Sequence, residues 1–151
     1  MLLFTDGKNR TESQHTALVD LELTLCGTVI FKCVGSAMQS SGWPDRYYSH
    51  KLWRGWVEWK SQDGIYRPMQ VRKIRLLRNS GTEVVGCRIM PAEKCVGIEL
   101  PNQTRHCRVD LSTALIRNPN IEATDLVKPA WGPTLLKSIA RYCLEMRHEE
   151  S

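Results

Sequence analysis

At 151 residues, 42% hydrophobic and 25% charged with a formal net charge of +5, the chain has the balance of one globular domain with its own core, which excludes a disordered, fibrous or disulfide-stapled chain. No window approaches the roughly 18 consecutive apolar residues of a membrane span. Asp6 and Lys8 cut Met1-Leu2-Leu3-Phe4 short of a signal-peptide core, so a cytoplasmic protein is expected.

The cysteines Cys26, Cys33, Cys87, Cys95, Cys107 and Cys143 lack the close spacing of zinc ligands, and the histidines are scattered, so reduced thiols and no zinc are expected. Charge is uneven along the chain. Residues 1–60 carry a net +1, residues 61–90 a net +4 and residues 91–151 a net 0. A short basic segment on a nearly neutral protein suits a phosphate-rich partner, and equally a solvated helix face.

Thr11 and Gln14 form a capping box, predicting a helix from Glu12 to Cys26 that stops at Gly27. At 100° per residue, Ala17, Leu18, Leu21 and Leu25 form one apolar stripe and Val19, Leu23 and Cys26 a second. Glu12 aligns with the second stripe, away from Thr16, Asp20 and Thr24 on the polar side. Val29–Val34 predicts a strand, 35–42 a loop, and Arg46–Tyr48 and Gly55–Lys60 two strands joined by a short turn. After a loop at 64–68, Pro68 suits a first helical position and Gly81 a terminus, predicting a helix over Met69–Ser80 and a strand over Thr82–Met90. Cys95–Leu100 and Arg105–Leu111 read as a hairpin, Asn118-Pro119-Asn120 as a break, and Pro133–Arg147 as an amphipathic helix. The whole reads as one domain, with a motif-bearing core over about 10–90 and an accessory hairpin and helix over about 91–151.

The residues that carry chemistry are Gly42-Trp43-Pro44-Asp45 and Val57-Glu58-Trp59-Lys60, with twelve residues between Asp45 and Glu58. On a strand, Glu58 and Lys60 share one face while Val57 and Trp59 point into the opposite, apolar layer. If the strand that carries Asp45 pairs with this one, two carboxylates converge beside an ammonium, the parts for binding a hard divalent cation and orienting water. On the basic helix, Gln70 falls among Ile74 and Leu77, away from Arg72, Arg75 and Arg78; a glutamine there is either satisfied in a core or aimed at a site. Trp56 shares the face of Glu58 and is placed to stack on a base or to join the core.

The ordered series Glu12, Gly42-x-Pro44-Asp45, Glu58-x-Lys60 and Gln70 resembles the PD-(D/E)XK nuclease superfamily, most closely its VRR-NUC branch of virus-type replication and repair nucleases. The resemblance implies an α/β fold, a restriction-endonuclease-like mixed central sheet flanked by helices, with the active site at a strand fork. It implies Mg²⁺ or Mn²⁺ bound by Asp45, Glu58 and the Trp59 carbonyl, completed by Glu12, with Lys60 and Gln70 as catalytic partners. Arg67, Arg72, Lys73, Arg75 and Arg78 would then meet DNA phosphates. Standalone viral members resemble Holliday-junction resolvases and act as homodimers, so the resemblance also implies endonucleolytic cleavage of DNA, in its sharper version branched DNA, inside a bacterial host cell. Each residue also has a plainer role: Asp45 as a turn cap, Glu58 and Lys60 as a solvated pair, Glu12 as a partner of the helix dipole. Two other functional classes remain open, a catalytically silent DNA-binding module and a viral structural or assembly protein. The first helix has two apolar stripes where packing on one sheet face needs only one, and with Leu135, Ile139, Tyr142 and Met146 of the last helix this predicts a two-fold homodimer unless the tail folds back and covers the stripe.

Overall fold

The computed structural model describes residues 3–4, 10–33, 41–114 and 131–150. The Asn118-Pro119-Asn120 break and most of the 35–42 loop lie outside them. In chain order the elements are α1 (Glu12–Leu25), β1 (Val29–Lys32), β2 (Arg46–Ser49), β3 (Arg54–Lys60), α2 (Pro68–Asn79), β4 (Val84–Met90), a 3₁₀ turn at Pro91–Glu93, β5 (Cys95–Glu99), β6 (Cys107–Asp110) and α3 (Trp131–Glu150). No described helix is long and apolar enough to cross a membrane.

Among the described residues, six strands form one sheet in sequential order. Only β3 and β4 run parallel, because α2 carries the chain back between them; the other neighbours are antiparallel. The fold is thus mixed α/β, a central sheet flanked by helices, as expected. Strand alternation sends Val57, Trp59, Val85, Cys87, Ile89, Val96, Ile98 and Val109 into the core, where all are buried. α1 and α3 cover that side of the sheet, while α2 and the 61–67 loop approach the opposite side.

The segment expected as an accessory hairpin and helix continues the same sheet as β5 and β6, and α3 packs onto it and against α1. Leu135, Ile139, Tyr142 and Met146 are at most 2% exposed within this single chain. They therefore contribute to this chain's own stability, at roughly 1.5–3 kcal/mol for each fully buried apolar side chain, and give no reason to invoke a second copy. That half of the homodimer expectation is corrected: the tail folds back.

α1 begins with the expected capping box, Gln14 N–H to Thr11 Oγ1 at 3.2 Å and Thr11 N–H to Gln14 Oε1 at 2.8 Å. Its inward face differs from the prediction. Val19 and Leu23 are fully buried, but so are Thr16 and nearly Asp20, both assigned to the polar side. Asp20 tolerates burial because Arg46 Nε and Tyr48 Oη each donate to it at 2.6 Å. Ala17, Leu18, Leu21 and Leu25, the first stripe, lie on the outer, partly exposed side.

Candidate active site

Two backbone features bring the motif residues together. Gly42, at φ +81°, lies so close to the first turn of α2 that a Cβ there would stand 2.3 Å from the Met69 carbonyl oxygen. Only a residue without a side chain lets the Gly42-x-Pro44-Asp45 loop rest on that helix. The β2–β3 register, Arg46 opposite Val57, then carries Asp45 to the strand position facing Glu58. Asp45 Oδ2 accepts the Trp59 N–H at 2.9 Å, which fixes its carboxylate against β3.

Gln70 is the hub. As the third residue of α2, its Oε1 accepts the Arg67 N–H at 2.9 Å and a bond from Lys60 Nζ at 2.9 Å, while Nε2 donates to Glu58 Oε1 at 2.8 Å. The amide orientation follows from chemistry, since an ammonium and a backbone N–H only donate and a carboxylate only accepts. One buried side chain thus bridges the acid and the amine of the Glu58-x-Lys60 strand and anchors them to a helix N-terminus. Lys60 Nζ stands 3.7 Å from Glu58 Oε1.

Glu58 is only 3% exposed, and its Oε2 is buried without a hydrogen-bond partner. Burial first, then the neighbouring Asp45 charge, push its pKa up to about 8, against the pull of Lys60. Burial raises Asp45 too, opposed by the Trp59 N–H and by Arg46, Lys60 and Arg67. Glu12, at the start of α1, is raised by burial and by Asp45. Glu12, Asp45, Glu58, Trp59 and Lys60 line one open cleft together with Ser13, Arg46, Ser61 and Gly64. Two carboxylates held together at the cost of raised pKa values, one with an orphaned oxygen, form an all-oxygen donor set suited to a hard cation. Among the described residues no three acidic, histidine or cysteine side chains close into a ready-made cage. Glu12 thus shares the cleft without joining Asp45 and Glu58 in a compact cluster, and a cation there would draw its remaining ligands from backbone, water or phosphate, as Mg²⁺ commonly does.

The basic residues separate into different settings. Arg67, Arg72 and Arg75 are exposed, Lys73 Nζ sits 4.8 Å over the Trp43 ring, and Arg78 pairs with Glu150 of α3. Of the tryptophans near the motifs, Trp53 and Trp59 belong to the core, whereas Trp43 and Trp56 are half-buried.

Two supports escape sequence reasoning. Trp59 Nε1 donates to Tyr48 Oη at 2.9 Å, and Tyr48 Oη donates to Asp20, so a buried chain ties β3 to α1 beneath the cleft. On the other side the Tyr66 ring lies between Lys60 Nζ at 5.2 Å and the Arg88 guanidinium at 6.0 Å. Its hydroxyl occupies the space a Cβ on Gly86 would need, 1.8 Å away. Arg88 pairs with Glu99 and donates to the carbonyls of Ser61, Gln62 and Gly64, holding the loop that follows Lys60. The only sequence signal was a glycine inside the apolar β4 run.

No protein-family model matches the chain, and no curated protein matches it. Among solved structures the chain is similar to the Holliday junction resolvase Hjc of the archaeon Archaeoglobus fulgidus, at 14% identity and a TM-score of 0.42, over 60% of this chain and 80% of that one. At that TM-score the likeness carries nothing about activity, which rests on the geometry of the cleft.

Proposed function

We propose that this protein is a divalent-cation-dependent nuclease that hydrolyses phosphodiester bonds in DNA. The observation that carries the reading is the buried, orphaned Glu58 Oε2 beside Asp45, with Lys60 held in place by Gln70 at the same open cleft. Asp45, Glu58 and the Trp59 carbonyl would hold Mg²⁺ or Mn²⁺, with Glu12 adding negative charge nearby. When bound, such a cation neutralises charge developing on the scissile phosphate and makes water a better nucleophile. Lys60 contributes a positioned positive charge toward that phosphate, and Gln70 keeps the ammonium from collapsing onto Glu58. The order of the motif residues, with Gln70 after the Glu58-x-Lys60 strand, favours the VRR-NUC branch and branched DNA as the preferred substrate.

The test is cleavage of a labelled four-way junction and of its linear arms in Mg²⁺, Mn²⁺ or EDTA. Metal-dependent cutting, faster on the junction, is expected; no cutting in either metal overturns the reading. Lys60→Ala is expected to lower kcat on the order of 10²–10³-fold with DNA affinity nearly kept, because its charge acts on the transition state. Single-turnover rates beside binding isotherms check this.

The exposed Arg72 and Arg75 would neutralise flanking phosphates. Replacing both by alanine is expected to reduce the log–log salt slope of duplex binding by roughly 1.8, at about 0.9 per lost contact. Arg78→Ala should change it less, since its partner is Glu150. Paired incision of a junction would need two copies, for which the outer stripe of α1 remains the available surface; light scattering against the 17.3 kDa chain mass decides it.

A further inference from the structure

Strand alternation on β3 lines up Arg54, Trp56, Glu58 and Lys60 on the side of the sheet that α2 approaches. The register sets Tyr47 beside Trp56 and Phe31 beside Tyr47. Trp56 becomes the centre of an aromatic cluster, its ring centroid 5.2 Å from Tyr47, 5.3 Å from Trp43 and 6.4 Å from Phe31. Phe31 is 56% exposed and the other three rings are half-buried. A partly exposed aromatic surface on the sheet face that carries Glu58 is costly unless it meets a partner.

Its charges select the partner. Lys73 lies over Trp43 and Arg54 precedes Trp56 on the same face of the strand, while the carboxylates that β2 and β3 bring to this side are Asp45 and Glu58, the pair assigned to the cation. Residues two apart on a strand are separated by about 6.8 Å, so Trp56 stands a step from Glu58 that one extended nucleotide can span, with Arg54 a second step beyond. Aromatic faces edged by cations match bases on a phosphate backbone, and only unpaired bases offer their faces, since a duplex keeps them stacked.

We infer that Trp43, Tyr47, Trp56 and Phe31 form a stacking subsite for unpaired nucleobases on the strand entering the Asp45–Glu58 cleft; as a subsite of that cleft, it rests on the nuclease reading. It gives the protein a preference for DNA with a single-stranded flank beside the cut.

The test reads binding in EDTA, where cleavage cannot interfere, using a short oligothymidylate and a closed duplex hairpin as probes. Oligothymidylate is expected to quench the tryptophan fluorescence of the wild type. Phe31→Ala, at an exposed position, should weaken oligothymidylate binding about tenfold with less than about a twofold change for the hairpin, and Phe31→Trp should restore it. Absence of quenching, or an unchanged oligothymidylate affinity in Phe31→Ala, overturns the subsite. So does a shift in the light-scattering mass of Phe31→Ala without a change in that affinity, which would mark the face as a contact between copies. The two readings fail separately: a protein that stacks oligothymidylate but never cuts DNA in Mg²⁺ or Mn²⁺ contradicts the nuclease, whereas one that cuts while Phe31→Ala binds normally contradicts only the subsite.

Discussion

Glu58→Gln is expected to abolish DNA cleavage and, in the same protein, to raise the melting temperature of the metal-free form at pH 8. Loss of an anionic cation ligand should lower the rate on the order of 10³-fold or more. The gain in stability has a separate cause. Folding moves the Glu58 pKa from the ordinary carboxyl value of 4.5 to about 8 by burying it beside Asp45. Between those pH values the folded chain holds a proton that the unfolded chain has released, so stability falls as pH rises through the window. Below the window the effect is absent, and above it the full penalty applies. Glutamine keeps an oxygen that can accept the Gln70 Nε2 bond but carries no charge, which removes a cost on the order of a few kcal/mol and should raise Tm by about 5 °C or more at pH 8. At pH 5 the two proteins should melt nearly together. Mg²⁺ should stabilise the wild type more at pH 8 than at pH 5, since it competes with that proton, and should leave Glu58→Gln largely unmoved. Melting curves at both pH values, with EDTA or Mg²⁺, check all of this; a wild type and variant with the same pH dependence would show that Glu58 titrates normally.

Gly42→Ala should be the most damaging small substitution near the cleft. The added Cβ would lie 2.3 and 2.5 Å from the carbonyl atoms of Met69 and 3.0 Å from the Gln70 nitrogen. These are backbone atoms of the first turn of α2 and cannot rotate away as a side-chain tip can. With φ at +81° the backbone is also in the region that L side chains avoid. A loss of about 2–4 kcal/mol is expected, and cleavage should fall further than the unfolded fraction explains, because the same turn carries Gln70. Gly81→Ala is the control: φ is +87° but nothing lies within 4 Å, so only the backbone cost of about 1 kcal/mol should appear. Equal destabilisation by both would show that the Gly42 approach is unimportant. Chemical denaturation of the two variants decides between these outcomes.

The residues that gather at the cleft were legible because their placement depends on short-range rules. A two-residue strand period put Glu58 and Lys60 together, and the Thr11–Gln14 box and Pro68 marked where α1 and α2 begin, so Glu12 and Gln70 lay near their helix starts. What was not legible depends on partners far away in the chain. Asp20 looked like a solvent-facing residue because Arg46 and Tyr48, 26 and 28 residues later, are what permit its burial. The apolar residues of α3 looked uncovered because nothing local to them reveals that β5 and β6 widen the sheet beneath. Tyr66 looked like a loop residue, and only the β3–β4 register shows Gly86 making room for it beside Lys60. The aromatic cluster was half legible: Trp56 was placed on the face of Glu58, but Phe31 and Tyr47 join it through pairings that periodicity does not encode.

The account stands most directly on whether the Asp45–Glu58 pair supports metal-dependent hydrolysis. The measurement is the rate at which wild-type and Asp45→Asn proteins, both shown folded by circular dichroism and matched in DNA affinity, nick a labelled four-way junction in Mg²⁺ or Mn²⁺. The account predicts nicking by the wild type that EDTA stops, and a rate for Asp45→Asn lower on the order of 10³-fold. A wild type that leaves the junction intact in both metals, or an Asp45→Asn protein that cuts at the wild-type rate, would contradict it.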